Sequence, residues 1–318
     1  MKIQQLFASA ALLAATLYVA PSANAGMVLT TAGSNAGFGL STFASNFPST
    51  GYCCGPLGIA FLGNGNVMVT DYPGHVRVMS NTDGQDASNV TPVTTSFDNA
   101  IGLTSMGGTI YMSSQLGFIY QMNNDGTIAS TLNNTIAGTT GITNDGTNLF
   151  ADGSGGIYTV SPTTGSATLF RSGGFDGLSV DLGSGILYAS ASDNHIRGFR
   201  LSDAVEVFDS GYISDGPDGV AVGHGSLAGN LYINTVSGVL YQYNLATTAL
   251  TALTHGGSRG DFVTVDPTNG SLLLTQTDSI LRLTAPEGGS FSEAPEPGTV
   301  LTMLAGLGVL GLARRRNR

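Results

Sequence analysis

The chain has 318 residues, 46 of them Gly, and carries 11 Lys and Arg against 21 Asp and Glu. Lys2 and the cluster Arg314, Arg315, Arg316 and Arg318 take five of the basic residues, leaving six for a body whose acids all lie between Asp71 and Glu296. No basic patch remains for a polyanion, which argues against nucleic acid as a partner. Abundant Gly, Ser, Thr and Asn with a single lysine disfavour helices and suit strands joined by tight turns, so an all-β domain is expected.

Residues 1–25 open with Lys2, continue as an apolar run over residues 6–20, and end in Ala23-Asn24-Ala25 before Gly26. That pattern is a Sec signal peptide cleaved after the small residues Ala23 and Ala25. A start-anchored helix is the alternative, and the shortness of the apolar run speaks against it. Residues 26–49 are small and polar, with one alternating stretch, Phe38-Gly-Leu-Ser-Thr-Phe43.

Six similar units follow. Each opens with a short apolar strand: Leu57-Gly-Ile-Ala-Phe61, Ile101-Gly-Leu-Thr104, Gly141-Ile-Thr143, Gly177-Leu-Ser-Val180, Gly219-Val-Ala-Val222 and Phe262-Val-Thr-Val265. A hairpin comes next, clearest in Gly229-Asn-Leu-Tyr-Ile-Asn-Thr-Val-Ser-Gly-Val-Leu-Tyr-Gln-Tyr-Asn244, where apolar residues alternate on both sides of Ser237-Gly238. Two residues ahead of each second strand stand Gly74, Gly117, Gly155, Asn194, Gly238 and Asp278. These residue types tolerate the left-handed backbone that a tight reversal needs. Their spacings are 43, 38, 39, 44 and 40 residues. A period near that size with about four strands per unit marks a β-propeller blade, and a parallel β-helix would repeat at a much shorter period.

The expected fold is therefore an all-β, six-bladed β-propeller over residues 26–285. Its sixth unit runs out of chain near Leu283 without an outermost strand. Residues 38–43 are expected to supply that strand and close the ring, removing an exposed edge. Residues 286–294 read as a linker and residues 295–318 as a sorting or anchor segment.

Two stretches, Val67-Met-Val-Thr-Asp-Tyr-Pro-Gly-His-Val-Arg-Val78 and Leu187-Tyr-Ala-Ser-Ala-Ser-Asp-Asn-His-Ile-Arg-Gly-Phe199, resemble repeats of NHL-type propellers. Phe175-Asp-Gly-Leu178 and Gly216-Pro-Asp-Gly-Val220 resemble blade openings of the regucalcin and gluconolactonase group. The resemblance spans roughly residues 57–284 and is specific for fold rather than activity. It implies that Asp218 matches a metal-binding Asp and that Asp176 stands where the group has Asn, with Ca²⁺ as the candidate ion. The group's acidic ligand in Glu-Gly-Pro aligns with Cys54-Gly55-Pro56, so one charged ligand is missing.

The C-terminus reads Pro295-Glu296-Pro297-Gly298, then an apolar run over residues 299–313, then Arg314, Arg315 and Arg316. The run falls short of a comfortable span of about 20 residues, and the Arg cluster holds its end in the cytoplasm. Together they resemble the PEP-CTERM tail of Gram-negative bacteria. That resemblance implies an exosortase-like processing enzyme as partner and transient residence in the inner membrane through a short C-terminal helix. It also implies a periplasmic stage, then delivery to the outer surface or extracellular matrix, in a biofilm and exopolysaccharide setting.

In a propeller the loops leading into the inner strands and the loops inside the hairpins open on one face. That face should carry Cys53, Cys54, Asp176, Asp218, His255 and Asp261 from the first set and His75 and His195 from the second. His224 falls on the opposite face. No three His share a metal-ligand spacing, so solvated loop histidines are the favoured reading. Adjacent Cys53 and Cys54, with Cα atoms ~3.8 Å apart, lie below the usual disulfide range, and a vicinal bond between them would form a rigid, apolar turn. Intermolecular pairing and free thiols are the alternatives. There is no G-x-S-x-G elbow and no phosphate loop between strand and helix.

The sequence thus reads as an exported, non-catalytic propeller that binds an extracellular polysaccharide or protein. A divalent-metal lactonase using Asp176 and Asp218 is the alternative, and a structural protein without a small ligand is a third. Changing Glu296 to Ala should leave a longer, membrane-retained product on an immunoblot of cell fractions. A wild-type chain that is never shortened would exclude processing at the tail.

Overall fold

The computed structural model describes residues 26–49, 54–93 and 100–292. The signal segment with Ala23 and Ala25, Cys53, and the tail with Pro295, Glu296, Pro297 and the Arg cluster lie outside the described residues. Six sheets stand around one axis, each beginning at the centre and ending at the rim. The inner strands are Pro56–Phe61, Ala100–Met106, Ile142–Asn144, Phe175–Asp181, Pro217–Val222 and Val263–Val265. Each packs on the next, and the sixth packs on the first, so the ring is closed. Blades 2 to 5 are four-stranded meanders, since each short apolar run can bury itself only against its own hairpin and the neighbouring blades.

The repeated hairpin appears as expected. In blade 5, Asn230–Thr235 pairs with Leu240–Asn244 in the register Asn230↔Asn244 and Asn234↔Leu240. The reversal passes through Gly238 at φ 76°, where a Cβ would lie 2.3 Å from Gly257 backbone. Gly74, Gly117 and Asn194 are left-handed as well. The pattern departs from expectation in blades 3 and 6. Gly155 yields the positive φ to Gly156, and Asp278 is not left-handed; its carbonyl accepts from the Phe47 amide of the incoming N-terminal segment.

Closure is made by the N-terminal strand. Gly39–Ser45 pairs antiparallel with Ile280–Thr284, placing Gly39 opposite Thr284 and Ala44 opposite Ile280. Its Phe43 is fully buried in the core between blades 6 and 1, with Ile280, Leu273, Ile59 and Val67. Arg282 fixes the seam: it lies over the Phe43 ring, donates to Asp266 and Asp83 at 2.7 Å each, and reaches Asn81. One feature has no counterpart in the sequence reading. Blade 1 has three strands in its own sheet, and the following Gln85–Asp86 runs parallel to Gly39–Ser45, becoming the fifth strand of blade 6.

Both ends of the body pack on blade 5. Val28–Leu29 pairs with Thr254–His255, and Thr30 then caps the short helix Thr31–Asn35 by accepting from the Gly33 amide. At the other end Gly289–Ser290 pairs with His224–Gly225, and Phe291 meets Tyr232 edge to face at 4.7 Å. Among the described residues no helix is long and apolar enough to cross a membrane.

Truncating Phe43 to Ala should cost about 3–5 kcal/mol, the usual range for a buried Phe. At about 2–4 °C per kcal/mol for a chain of this size, thermal unfolding should move down by roughly 10 °C. Thr42→Ala, on the exposed face of the same strand, should leave the midpoint within about 1 °C by calorimetry.

Candidate functional site

The inner strands converge where they begin, and one residue type makes this convergence geometrically feasible. A Cβ on Gly177 would lie 2.2 Å from the Asp218 carbonyl oxygen, and one on Gly219 would lie 2.4 Å from that of Asp261. Gly58, Gly102 and Gly141 meet the next blade in the same way. Blade 6 has Phe262 at this position instead. The residue before each of these six therefore stands on a ring around the axial mouth: Leu57, Ile101, Thr140, Asp176, Asp218 and Asp261.

The ring has two unlike halves. Leu57 and Ile101 bury themselves with Cys54, Tyr72 and Phe262 in an apolar cluster. Cys54 is disulfide-bonded, and the other cysteine of the chain, Cys53, lies outside the described residues. The remaining half is acidic, with Asp152 beneath Asp176, Asp218 and Asp261. Arg259 enters this half: its Nη2 lies 3.2 Å from Asp218 Oδ2 and 2.7 Å from Asp261 Oδ1.

A second ring, one residue per blade, underlies the first. It is formed by the polar residue near the end of each hairpin's first strand: Thr70, Ser113, Asp152, Ser190, Asn234 and Thr275, all buried. In blades 1 and 2 the hydroxyl accepts from the glycine amide of its own inner strand and donates to the next blade. Thr70 donates to the Ile101 carbonyl at 2.7 Å, and Ser113 to that of Thr140 at 2.6 Å. Asp152 takes both the amide and the hydroxyl of Thr140 at 2.7 Å. Asn234 donates to the Thr275 carbonyl, and Thr275 donates to that of Phe262. Ser190 alone makes no hydrogen bond through its side chain.

Electrostatics follow from this crowding. Burial, and then the charge of Asp176, raises Asp152 well above the usual carboxylate range. Burial, then Asp176 and Asp261, raises Asp218 likewise, against the opposing pull of Arg259. Asp176 is pushed up to about 6, first by burial of its carboxyl and then by Asp261, with a Thr140 hydrogen bond and Arg259 opposing. Burial works against the Arg259 charge, but Asp261 and Asp218 outweigh it and hold the guanidinium protonated. Asp176 Oδ1, Asp218 Oδ1 and Asp261 Oδ2 are enclosed without a hydrogen-bond donor from the protein.

The structure thus brings together Asp176, Asp218 and Asp261 and leaves the histidines apart. His75 Nδ1 is 2.9 Å from Asp71, and His195 Nδ1 is 2.6 Å from Asp209, each pair within one blade. His255 is exposed on the short strand paired with the N-terminus. Arg259, Asp152, Ser190 and Asn234 were not singled out in the sequence. For Asp152, Ser190 and Asn234 the signal is a polar residue near the end of an otherwise apolar strand, repeated at one position in every blade; Arg259, in the loop ahead of the sixth inner strand, carries no repeated signal.

Whether a divalent ion suits this mouth can be judged from the donors. Two of the three axial carboxylates already serve Arg259, and the position of the expected acidic ligand holds Cys54, packed in the apolar half. Among the described residues no three His, Cys, Asp or Glu side chains come together as a metal-binding group. The donor set does not fit a divalent ion while Arg259 occupies it.

The architecture and mouth define a six-bladed propeller, and solved structures of that fold are similar to it. A gluconolactonase from Xanthomonas campestris matches with a TM-score of 0.63 and 14% identity, over 82% of this chain and 95% of the other. A putative oxidoreductase (glucose dehydrogenase) from Thermus thermophilus gives 0.59 and 15%, over 78% and 100%. A Bacteroides thetaiotaomicron protein of unknown function gives 0.60 and 15%, over 78% and 76%. At these identities the likeness is one of fold. No curated protein sequence matches the chain. Residues 293–317 match the PEP-CTERM protein-sorting motif, which marks an exported protein sorted by an exosortase-type system.

Because the folded-state Asp176 lies near 6 against an ordinary 3.8, its ionisation opposes folding above that window. Stability contributed by its protonated form is present at low pH and is lost as pH rises between these values. Asp176→Asn should therefore melt higher than wild type at pH 8, with the gap closing by pH 4. A gap of the same size at both pH values would mean that the carboxyl is not held up by burial.

Proposed function

We propose that this is an exported, surface- or matrix-associated propeller that binds a glycan or protein ligand at its axial mouth, without catalysis. The ion pairing of Arg259 with Asp218 and Asp261 carries this reading. A hydrolase of the lactonase type would use Asp176 and Asp218 for a metal ion, whereas here Asp218 is committed, with Asp261, to a side chain of the protein itself. What remains is a preformed recess with polar acceptors on one side and an apolar wall on the other, the usual make-up of a binding site.

The way the chain leaves the body supports the same reading. Asp218 lies near the start of inner strand Pro217–Val222, whereas Gly289–Ser290 pairs with His224–Gly225 beyond its far end. The last described residues thus lie on the face opposite the mouth, and a precursor held at the membrane by its C-terminal segment would present the mouth away from the bilayer. Processing by an exosortase-type enzyme would then release the body to the outer surface or matrix.

The gluconolactonase-like alternative rests on Asp218 in Pro217-Asp218-Gly219 and on the acceptor oxygens left open beside it. The two readings part on metal. Treatment with a chelator should leave the melting point and glycan-array binding of the exported protein unchanged. Hydrolysis of an aldonolactone that requires Ca²⁺ and disappears in Asp218→Ala would instead establish the enzyme.

A further inference from the structure

Between blades 4 and 5 a cleft of about 260 Å³ opens beside the axial mouth. Its floor carries Asp176, Ser190 and Asp218, and Phe175, Pro217 and Val236 form apolar walls. Ser192 and Asn194 stand on the blade 4 side. Tyr212, 68% exposed, is close by, because the next residue, Ile213, donates its amide to the Asn194 carbonyl.

The floor breaks the rule that the other blades obey. At the second-ring position, Thr70, Ser113, Asp152, Asn234 and Thr275 all bond to neighbouring backbone. Ser190, only 2% exposed, leaves its hydroxyl unpartnered where the cleft opens. Beside it Asp176 Oδ1 and Asp218 Oδ1 are also enclosed and undonated. A buried polar atom with no partner is costly, and three around one recess imply that an occupant supplies the donors.

The chemistry of that occupant follows from the lining. No Lys or Arg lines the cleft, and its charged groups are both carboxyls, so an anion is unsuited. A neutral hydroxyl brings one donor for three acceptor oxygens and offers no counter-charge to Asp176, the one axial carboxyl that Arg259 does not hydrogen-bond. A primary ammonium brings three N–H donors and a positive charge, matching three acceptor oxygens. The volume lies at the small end for ligand pockets, which suits one compact ring, and the apolar walls suit its C–H faces. A lysine side chain would present a thin flexible stem to walls spaced for a ring.

We propose that this cleft binds the primary ammonium of an aminohexose, with Asp176, Ser190 and Asp218 as acceptors and Arg259 as the fixed cation behind them. The inference rests on the binding-module reading and names its ligand class. Ser190→Ala removes a hydroxyl that bonds to nothing in the protein, so the variant folds normally and isolates the ligand contact.

The test is calorimetric titration of the exported protein with glucosamine, N-acetylglucosamine, glucose and Nα-acetyl-lysine amide. Glucosamine should bind about tenfold or more tightly than the other three, as expected for a charge-assisted hydrogen bond. Ser190→Ala should weaken it about fivefold with a ligand-free melting point no lower than that of the wild type, and Asp176→Asn by more than about tenfold. Equal binding of the three sugars would overturn the ammonium while leaving the module intact, and tighter binding of the lysine derivative would overturn the sugar. Absence of saturable glucosamine binding would overturn the site itself. Ca²⁺-dependent lactone hydrolysis would instead overturn the module reading beneath it.

Discussion

Everything at the mouth of this propeller depends on how closely six inner strands can approach one another. Five glycines allow their strands to lie against the backbone of the next, at distances that no Cβ would permit at Gly58, Gly102, Gly177 and Gly219 and that would be tight at Gly141. That contact places six consecutive ring residues within electrostatic reach. It also lets the second ring stitch neighbouring blades, through Thr70 to Ile101 and Ser113 to Thr140. A larger residue at Gly177 or Gly219 would force the blades apart and dissolve the site together with the seam.

The same approach explains why the mouth is chemically lopsided. Leu57, Ile101 and Phe262 can fill the axis on one side because apolar side chains gain from being pressed together. On the other side the ring compresses carboxyls, and burial forces each either to pair or to hold its proton. Asp152 is satisfied by Thr140, while Asp218 and Asp261 share Arg259. Asp176 and Ser190, at the opening between blades 4 and 5, are left with enclosed oxygens facing a cleft. A single arginine, Arg259, two residues before Asp261, thus decides what Asp218 and Asp261 are available for.

Much of the scaffold was legible along the chain. Alternation of apolar residues encodes a strand locally, and copies of Leu231-Tyr-Ile-Asn234 at a regular spacing encode blades, because each blade is folded by contacts close in sequence. The closing role of Phe38 to Phe43 followed from one missing strand in the sixth unit. The loan of Gln85–Asp86 to blade 6 was not legible, since two residues of pairing leave no periodic trace.

The sequence by itself determined the fold, the ring closure and the sorting tail, all written in short-range patterns or in contiguous motifs. It also placed Asp176, Asp218 and Asp261 on one face. Only the tertiary structure decided what those residues do. Arg259 and Asp218 are 41 residues apart and meet solely because blade 6 returns beside blade 5. Ser190 looks identical in sequence to a stitching residue such as Ser113, yet it stands without a partner. Whether a buried polar atom is satisfied depends on groups brought from other blades, and no local pattern carries that information.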